Sequence, residues 1–122
     1  AEAYEDVSMG FGTYLSKPKN PDSLVIDLTE KVIEETNPAF LRIHLQRPGI
    51  EGLRISKDWT KDEPFHKNIW HEQSPYRRAM EEADQQLGRF VAWLKTKNLW
   101  EGTILFICGD HGQANEGWHE PY

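Results

Sequence analysis

An apolar run near the carboxyl end of the chain places the strongest constraint on its fold. Residues 103–108 read Thr-Ile-Leu-Phe-Ile-Cys, and the motif Gly-Asp-His-Gly follows at 109–112. A short apolar run bounded by turn residues is typical of a strand buried on both faces of a parallel sheet. The flanking glycines allow a sharp turn. The sequence therefore predicts a strand that ends in a carboxylate and an imidazole, Asp110 and His111.

A long amphipathic helix is predicted before this strand. Ser74 and Pro75 form a strong helix start, because serine caps free backbone N–H groups and proline fits the first turn. Apolar residues then recur every three or four positions, as in a helix that packs on a sheet. This stripe consists of Tyr76, Met80, Ala83, Leu87, Phe90 and Leu94. We expect the helix to end near Asn98.

An earlier helix and strand precede this unit. Thr29 is expected to cap a helix that ends before Pro38, because proline restricts the residue before it. Residues 39–45 then read as a buried strand, in which Arg42 and His44 alternate with apolar residues and face a polar side. Strands joined by a helical crossover lie parallel. The predicted fold is therefore α/β with a mostly parallel sheet that contains residues 39–45 and 103–108, and further strands are needed to complete it.

Two regions lack a regular period. Residues 1–22 read as loop, and residues 46–73 read as a long loop with several prolines and glycines. A loop of that length in a compact enzyme is usually functional, so we expect residues 46–73 to form one wall of the site. The predicted organisation is one partial domain, with helix and strand in 23–45 and helix, strand and motif in 74–122.

Composition limits the partners of the chain. The 122 residues are 38% hydrophobic and 28% charged, with a formal net charge of −6 and dispersed Lys and Arg, which argues against nucleic-acid binding. No apolar run approaches the ~20 residues that span a bilayer, so no membrane segment is predicted. Cys108, the single cysteine, is expected to be a small buried hydrophobe. Periplasmic, secreted and cytoplasmic locations all remain open.

Residues 76–112 resemble the late signature of the sulfatase branch of the alkaline phosphatase superfamily. The shared features are a tyrosine that opens the helix, Asp84 and Gly88 within it, a connection ending Leu-Trp-Glu-Gly-Thr, the apolar strand and Gly-Asp-His-Gly. The resemblance implies an α/β/α sandwich, of which this chain holds an incomplete part. The family's Cys/Ser-x-Pro-x-Arg nucleophile motif is absent from these residues. The chain is therefore interpreted as an internal piece of a larger enzyme and is expected to be inactive alone.

The resemblance also implies roles for individual residues. Asp110 and His111 occupy the family's metal-binding positions, with calcium or magnesium expected in a sulfatase and zinc or manganese in a two-metal phosphatase or phosphonate hydrolase. An upstream serine, threonine or formylglycine would be the nucleophile. His119 is expected to donate to the leaving-group oxygen or to a non-bridging oxygen of the substrate. The alternative is a loop histidine stacked on Trp118.

One stretch departs from the family pattern. Residues 46–52 read Gln-Arg-Pro-Gly-Ile-Glu-Gly, where sulfatases commonly carry an Asp-Pro-His-x-Pro-like stretch whose histidine faces the substrate. Arg47 is expected to take the place of this histidine by binding an anionic substrate through two parallel hydrogen bonds. The alternative is that Arg47 forms a surface ion pair. The remaining histidines, at positions 44, 66 and 71, are interpreted as packed or solvated loop residues.

These observations favour a metal-dependent hydrolase of sulfate esters. The alternatives are a phosphate or phosphonate ester hydrolase and a phosphoethanolamine or phosphoglycerol transferase of the same superfamily. A non-catalytic interaction module is the alternative from another functional class. The expected partners are an anionic sulfate or phosphate ester and the remaining segments of the same enzyme.

Overall fold

The computed structural model describes residues 21–58 and 62–120. These residues form helices α1 (Asp22–Thr36), α2 (Arg47–Lys57) and α3 (Pro75–Thr96) and two 3₁₀ turns, Pro64–His66 and Trp100–Gly102. Strands β1 (Gly112–Gln113) and β2 (His119–Glu120) pair antiparallel, with Gly112 opposite Glu120 and Gln113 opposite His119. Of the loop predicted for residues 1–22, residues 1–20 lie outside the described residues, and Asp22 already belongs to α1.

Helix α3 confirms the predicted helix and its start. The Ser74 hydroxyl oxygen accepts the Tyr76 backbone N–H at 3.2 Å, and Pro75 opens the first turn. Within the predicted stripe, Tyr76, Phe90 and Leu94 are buried, whereas the neighbouring Ala79 takes the buried place that the pattern gave to Met80. The helix ends at Thr96, close to the predicted position.

Two apolar clusters join α3 to the other helices. In the first, Ile26 of α1 packs with Phe90 and Leu94 of α3, and Ile43 and Leu45 pack against this group. The second cluster joins α2 to the start of α3 and contains Ile55, Ile69 and Tyr76, with Phe65 beside it. Fully burying one such side chain contributes about 1.5–3 kcal/mol. Helix α3 is therefore the element on which both α1 and α2 are assembled.

Two helix predictions need correction. Helix α1 begins at Asp22, and Thr29 lies inside it as a buried residue whose hydroxyl donates to the Val25 carbonyl at 2.8 Å. Helix α2 lies within the segment predicted as loop. Its proline falls in the first turn, where the missing N–H costs no hydrogen bond, and Glu51 pairs with Arg47 at 2.8 Å and with Arg54 at 3.5 Å.

The predicted parallel sheet is not present among the described residues. Residues 39–45 and 103–108 form no strand there, and Ile104, Phe106 and Ile107 are 81%, 86% and 70% exposed. A strand needs a neighbour to bond its backbone groups, and the described segments supply none to either run. Cys108 is correspondingly exposed rather than buried. In the described part the chain is mostly helical, with one very short antiparallel ladder.

The turn between β1 and β2 packs closely on helix α2. Gly117 adopts a φ of +87°, and a Cβ built there would collide with the Gly52 carbonyl oxygen and lie 3.1 Å from the Ser56 nitrogen. The Gln113 side-chain amide donates to the Gly117 carbonyl at 2.6 Å. The Ile69 backbone N–H also donates to the Asn115 carbonyl at 3.0 Å. The hairpin turn therefore approaches the backbone of α2 closely at Gly117 and is hydrogen-bonded to the Ile69 backbone.

Helices α1 and α2 meet at a buried carboxylate. The Asp22 Oδ1 accepts the Arg47 backbone N–H at 3.4 Å, at the beginning of α2. Its Oδ2 is buried and has no hydrogen-bond partner within the described residues. Burial raises the pKa of Asp22 above its ordinary value, although the backbone N–H groups of Arg47 and Gln46 act in the opposite direction. Desolvation disfavours the charged form.

None of the described helices is long and apolar enough to cross a bilayer.

Asp22→Asn should change how stability depends on pH. Since the folded state holds the proton more tightly than the unfolded chain, native stability falls as pH rises from the ordinary aspartate pKa through the raised one. Asparagine cannot ionise. The free energy of unfolding of the Asp22→Asn variant should therefore rise relative to that of the native protein as pH increases through this range. Urea unfolding at several pH values measures the difference. If the unfolding free energy of the variant does not rise relative to that of the native protein with increasing pH, the pKa of Asp22 is not raised by burial.

Gly117→Ala should undock the hairpin. A non-glycine residue in the left-handed region costs roughly 1–2 kcal/mol, and the methyl group would also collide with backbone rather than with a movable side chain. We expect a loss of at least about 2 kcal/mol in unfolding free energy. Gly88→Ala is the matched control, because a Cβ at this helical glycine meets nothing within 4 Å. Equal stability of the two variants would contradict the docking account.

Candidate functional site

The loop after residues 103–108 and the hairpin bring two predicted site residues together. The rings of His111 and His119 stack with centroids 3.8 Å apart and planes inclined by 29°. A Cβ built on Gly49 would lie 3.7 Å from His119 Nε2, so this imidazole sits beside the first turn of α2. His119 therefore lies against His111, where the sequence alternative had placed it on Trp118.

The His111 ring contacts a backbone carbonyl. Its Nδ1 lies 2.8 Å from the Gly112 carbonyl oxygen. A carbonyl only accepts hydrogen bonds, so this contact suits the tautomer with the proton on Nδ1, in which Nε2 is the atom available to a metal ion. That Nε2 lies 3.5 Å from Asp110 Oδ1. A backbone carbonyl that orients the distal nitrogen is a usual support for a metal-binding histidine.

Asp110 stands between two imidazoles. Its Oδ1 faces His111, and its Oδ2 lies 3.7 Å from His44 Nε2. The Asp110 side chain is 57% exposed, so it remains accessible from solvent. His44 lies in a segment without regular structure, which agrees with its interpretation as a packed or solvated loop histidine. Its neighbours Ile43 and Leu45 pack against the cluster formed by α1 and α3.

Arg47 lies at the beginning of α2, close in sequence to His44. Its guanidinium contacts Glu51 Oε1 at 2.8 Å, and the Glu51 carboxylate is almost fully buried. This ion pair joins a half-buried arginine to an interior acid, so it differs from the surface pair considered as the alternative. A buried, well-aligned carboxylate fixes the direction of an arginine side chain more firmly than a solvated one.

The other candidate residues occupy structural positions. His66 is buried, and its Nδ1 accepts the Glu63 backbone N–H at 3.3 Å. His71 Nδ1 accepts the Gln73 backbone N–H at 3.2 Å. These contacts agree with the interpretation of both as loop histidines. On α3, Glu81 is exposed and pairs with Arg77 at 3.0 Å.

The chemistry of this cluster is that of a partial metal site. Carboxylate oxygens are typical ligands of calcium, magnesium and manganese, whereas neutral imidazole nitrogens are typical ligands of zinc. No group of three or more His, Cys, Asp or Glu side chains in residues 21–58 and 62–120 is arranged to hold a metal ion. The described residues thus offer a pair of adjacent donors, Asp110 Oδ1 and His111 Nε2, and not a complete coordination shell.

Comparison with known proteins gives a single result. The sequence model of the Sulfatase family matches residues 3–121, nearly the whole chain. No curated protein and no solved structure matches the chain significantly. The family match agrees with the resemblance carried by the helix, the apolar run and the Gly-Asp-His-Gly motif. The chain belongs to the Sulfatase family.

Proposed function

We propose that this chain supplies two ligands of the divalent-metal site in a hydrolase of sulfate esters, with Asp110 and His111 as those ligands. The observation that carries the proposal is the position of His111 Nε2, which lies 3.5 Å from Asp110 Oδ1 while Nδ1 of the same ring lies 2.8 Å from a carbonyl oxygen. Two neighbouring donor atoms at this separation suit ligation of one metal ion. Sulfatases generally use a divalent metal, which agrees with the donor set.

In the proposed reaction, each residue of the site has one role. Asp110 and His111 would hold a divalent ion, calcium or magnesium in this proposal. That ion would supply charge neutralisation at the ester oxygens and orientation of the nucleophile. His119 lies against His111 and donates a proton to the leaving-group oxygen, a role suited to an imidazole. Arg47, oriented by Glu51, binds the anionic sulfate. The nucleophile, a formylglycine in this proposal, is contributed from upstream.

A phosphate or phosphonate ester is the second candidate substrate. The observation that favours it is the presence of three imidazoles in this cluster, two beside the Asp110 carboxylate and one stacked on His111, because nitrogen ligands suit zinc better than calcium. His44, His111 and His119 all lie in this cluster. Matched aryl sulfate and aryl phosphate esters, assayed on the intact protein with each metal in turn, separate the two substrate classes. Transfer to an alcohol acceptor in the same assay would instead indicate a phosphoethanolamine or phosphoglycerol transferase.

Asp110→Asn should weaken metal binding and nearly abolish turnover in the intact protein. The change removes a formal negative charge while barely altering shape, and losing a ligand charge costs on the order of a thousandfold or more in rate. Metal content and kinetics measured together separate ligand loss from misfolding. Glu81→Gln is the control, since Glu81 is solvated and should be near neutral. A folded Asp110→Asn protein with its metal and near-native turnover would refute the proposal.

His119→Ala should slow turnover in a way that depends on the leaving group. General acid catalysis contributes about 10²–10⁴-fold in rate, and the need for it falls when the leaving group is a weak base. We expect a large loss of kcat on esters of poor leaving groups and a small loss on nitrophenyl esters. His71→Ala is the matched control at another loop histidine. Equal losses across the substrate series would show that His119 is not the proton donor.

A further inference from the structure

We propose that Gln113 is a positioning residue that sets the place of His119 through the backbone just before it. The Gln113 side-chain nitrogen donates to the Gly117 carbonyl at 2.6 Å and to the Trp118 carbonyl at 3.2 Å. The Trp118 carbonyl belongs to the peptide bond that leads into His119. The consequence for catalysis rests on the proposed function, because His119 is the proton donor there, whereas the positioning itself can be measured without turnover.

The two acceptors identify the atom of the Gln113 amide that faces the turn. Both are carbonyl oxygens, which only accept hydrogen bonds, so the facing atom is the nitrogen and not the oxygen. A side-chain amide nitrogen carries two N–H groups, enough for one bond to each carbonyl. Gln113 therefore acts as a double donor that closes the turn between β1 and β2.

Gln113 and His119 share the face of the hairpin that meets α2. They stand directly opposite each other in the ladder, and side chains of opposed residues lie on the same face. A Cβ built on Gly52 would lie 2.5 Å from the Gln113 side-chain nitrogen, and one built on Gly49 would lie 3.7 Å from His119 Nε2. Gln113 thus fills the space that Gly52 leaves open and is confined between α2 and the turn that it bonds.

His119 depends on its backbone for direction. Its side chain is exposed, and strand β2, which carries it, has only two residues. The ring stacks on His111 and lies beside Gly49, and neither of these contacts is a hydrogen bond. The Trp118 carbonyl accepts the Ala114 backbone N–H at 2.9 Å in addition to the Gln113 amide. Two donors therefore fix the peptide plane from which the His119 side chain extends.

Gln113→Glu tests the positioning directly, because it keeps the size of the side chain and replaces the donor by a carboxylate that faces two carbonyl oxygens. We expect the His119 ring to leave the His111 ring. The nuclear Overhauser contact between the ring protons of the two histidines, measured on the intact protein without substrate, should vanish. Gln85→Glu makes the same chemical change at an exposed position of α3 and should keep this contact.

Kinetics test the consequence for the reaction. A misplaced catalytic group costs about 100-fold in rate, and we expect Gln113→Glu to lose about that much kcat on esters of poor leaving groups. The loss on nitrophenyl esters should be small, as for His119→Ala. In a His119→Ala background, Gln113→Glu should cause no further loss, because Gln113 acts through His119. A merely structural role would slow all substrates alike and would add to the loss.

Three results would overturn the inference. They are a His111–His119 contact that persists in Gln113→Glu, a further loss in the double variant, and an equal loss across the ester series when His119→Ala itself depends on the leaving group. Gln113→Met removes the donor without adding charge and replaces the glutamate variant in every measurement if that variant does not fold, as judged by circular dichroism.

The proposed function fails separately from this inference. If His119→Ala slows all esters equally, His119 is not the proton donor. The nuclear Overhauser contact then still decides the positioning role, since its loss in Gln113→Glu supports that role and its persistence refutes it.

Discussion

The backbone contact between Gly117 and Gly52 is the constraint on which the site depends. It brings the hairpin turn against α2 at a distance that no side chain at Gly117 would permit. Because β1 and β2 are only two residues each, their own ladder contributes little. Docking on a helix therefore determines where the hairpin lies, and the hairpin in turn carries His119 to the ring of His111.

Helix α2 has a double role in this arrangement. Its own position is set by the Ile55–Tyr76 cluster against α3 and by Asp22, which bonds the Arg47 backbone from α1. The same helix presents Gly49 to His119 and Gly52 to the turn. Gly49 and Gly52, which favoured the prediction of a loop, thus form the part of α2 against which the hairpin packs. A helix propensity cost of up to ~1 kcal/mol per glycine accompanies that close approach.

Electrostatics in the cluster centre on one carboxylate. Asp110 lies between two imidazoles, with its Oδ1 3.5 Å from His111 Nε2 and its Oδ2 3.7 Å from His44 Nε2. Its side chain is 57% exposed, so the carboxylate is open to solvent. This physical arrangement relates the helical scaffold to the metal chemistry that we propose for the family member.

Sequence reasoning recovered the parts that depend on local rules. Helix α3 followed from its Ser-Pro start and its stripe, and the pairing of Asp110 with His111 followed from the motif. The parts that it missed depend on distant contacts. Helix α2 forms in a segment that contains two glycines, and Glu51 stabilises it through ion pairs with Arg47 and Arg54. His44 lies beside Asp110, which is 66 positions later in the sequence. The two predicted strands depend on neighbours that residues 21–58 and 62–120 do not supply.

The most direct measurement of the central claim is anomalous diffraction from crystals of the intact protein soaked in Mn²⁺. We expect one manganese peak within about 2.0–2.6 Å of both Asp110 Oδ1 and His111 Nε2, the range of metal–oxygen and metal–nitrogen bonds. A manganese peak elsewhere, with Asp110 and His111 in their present contacts and no ion between them, would contradict the account.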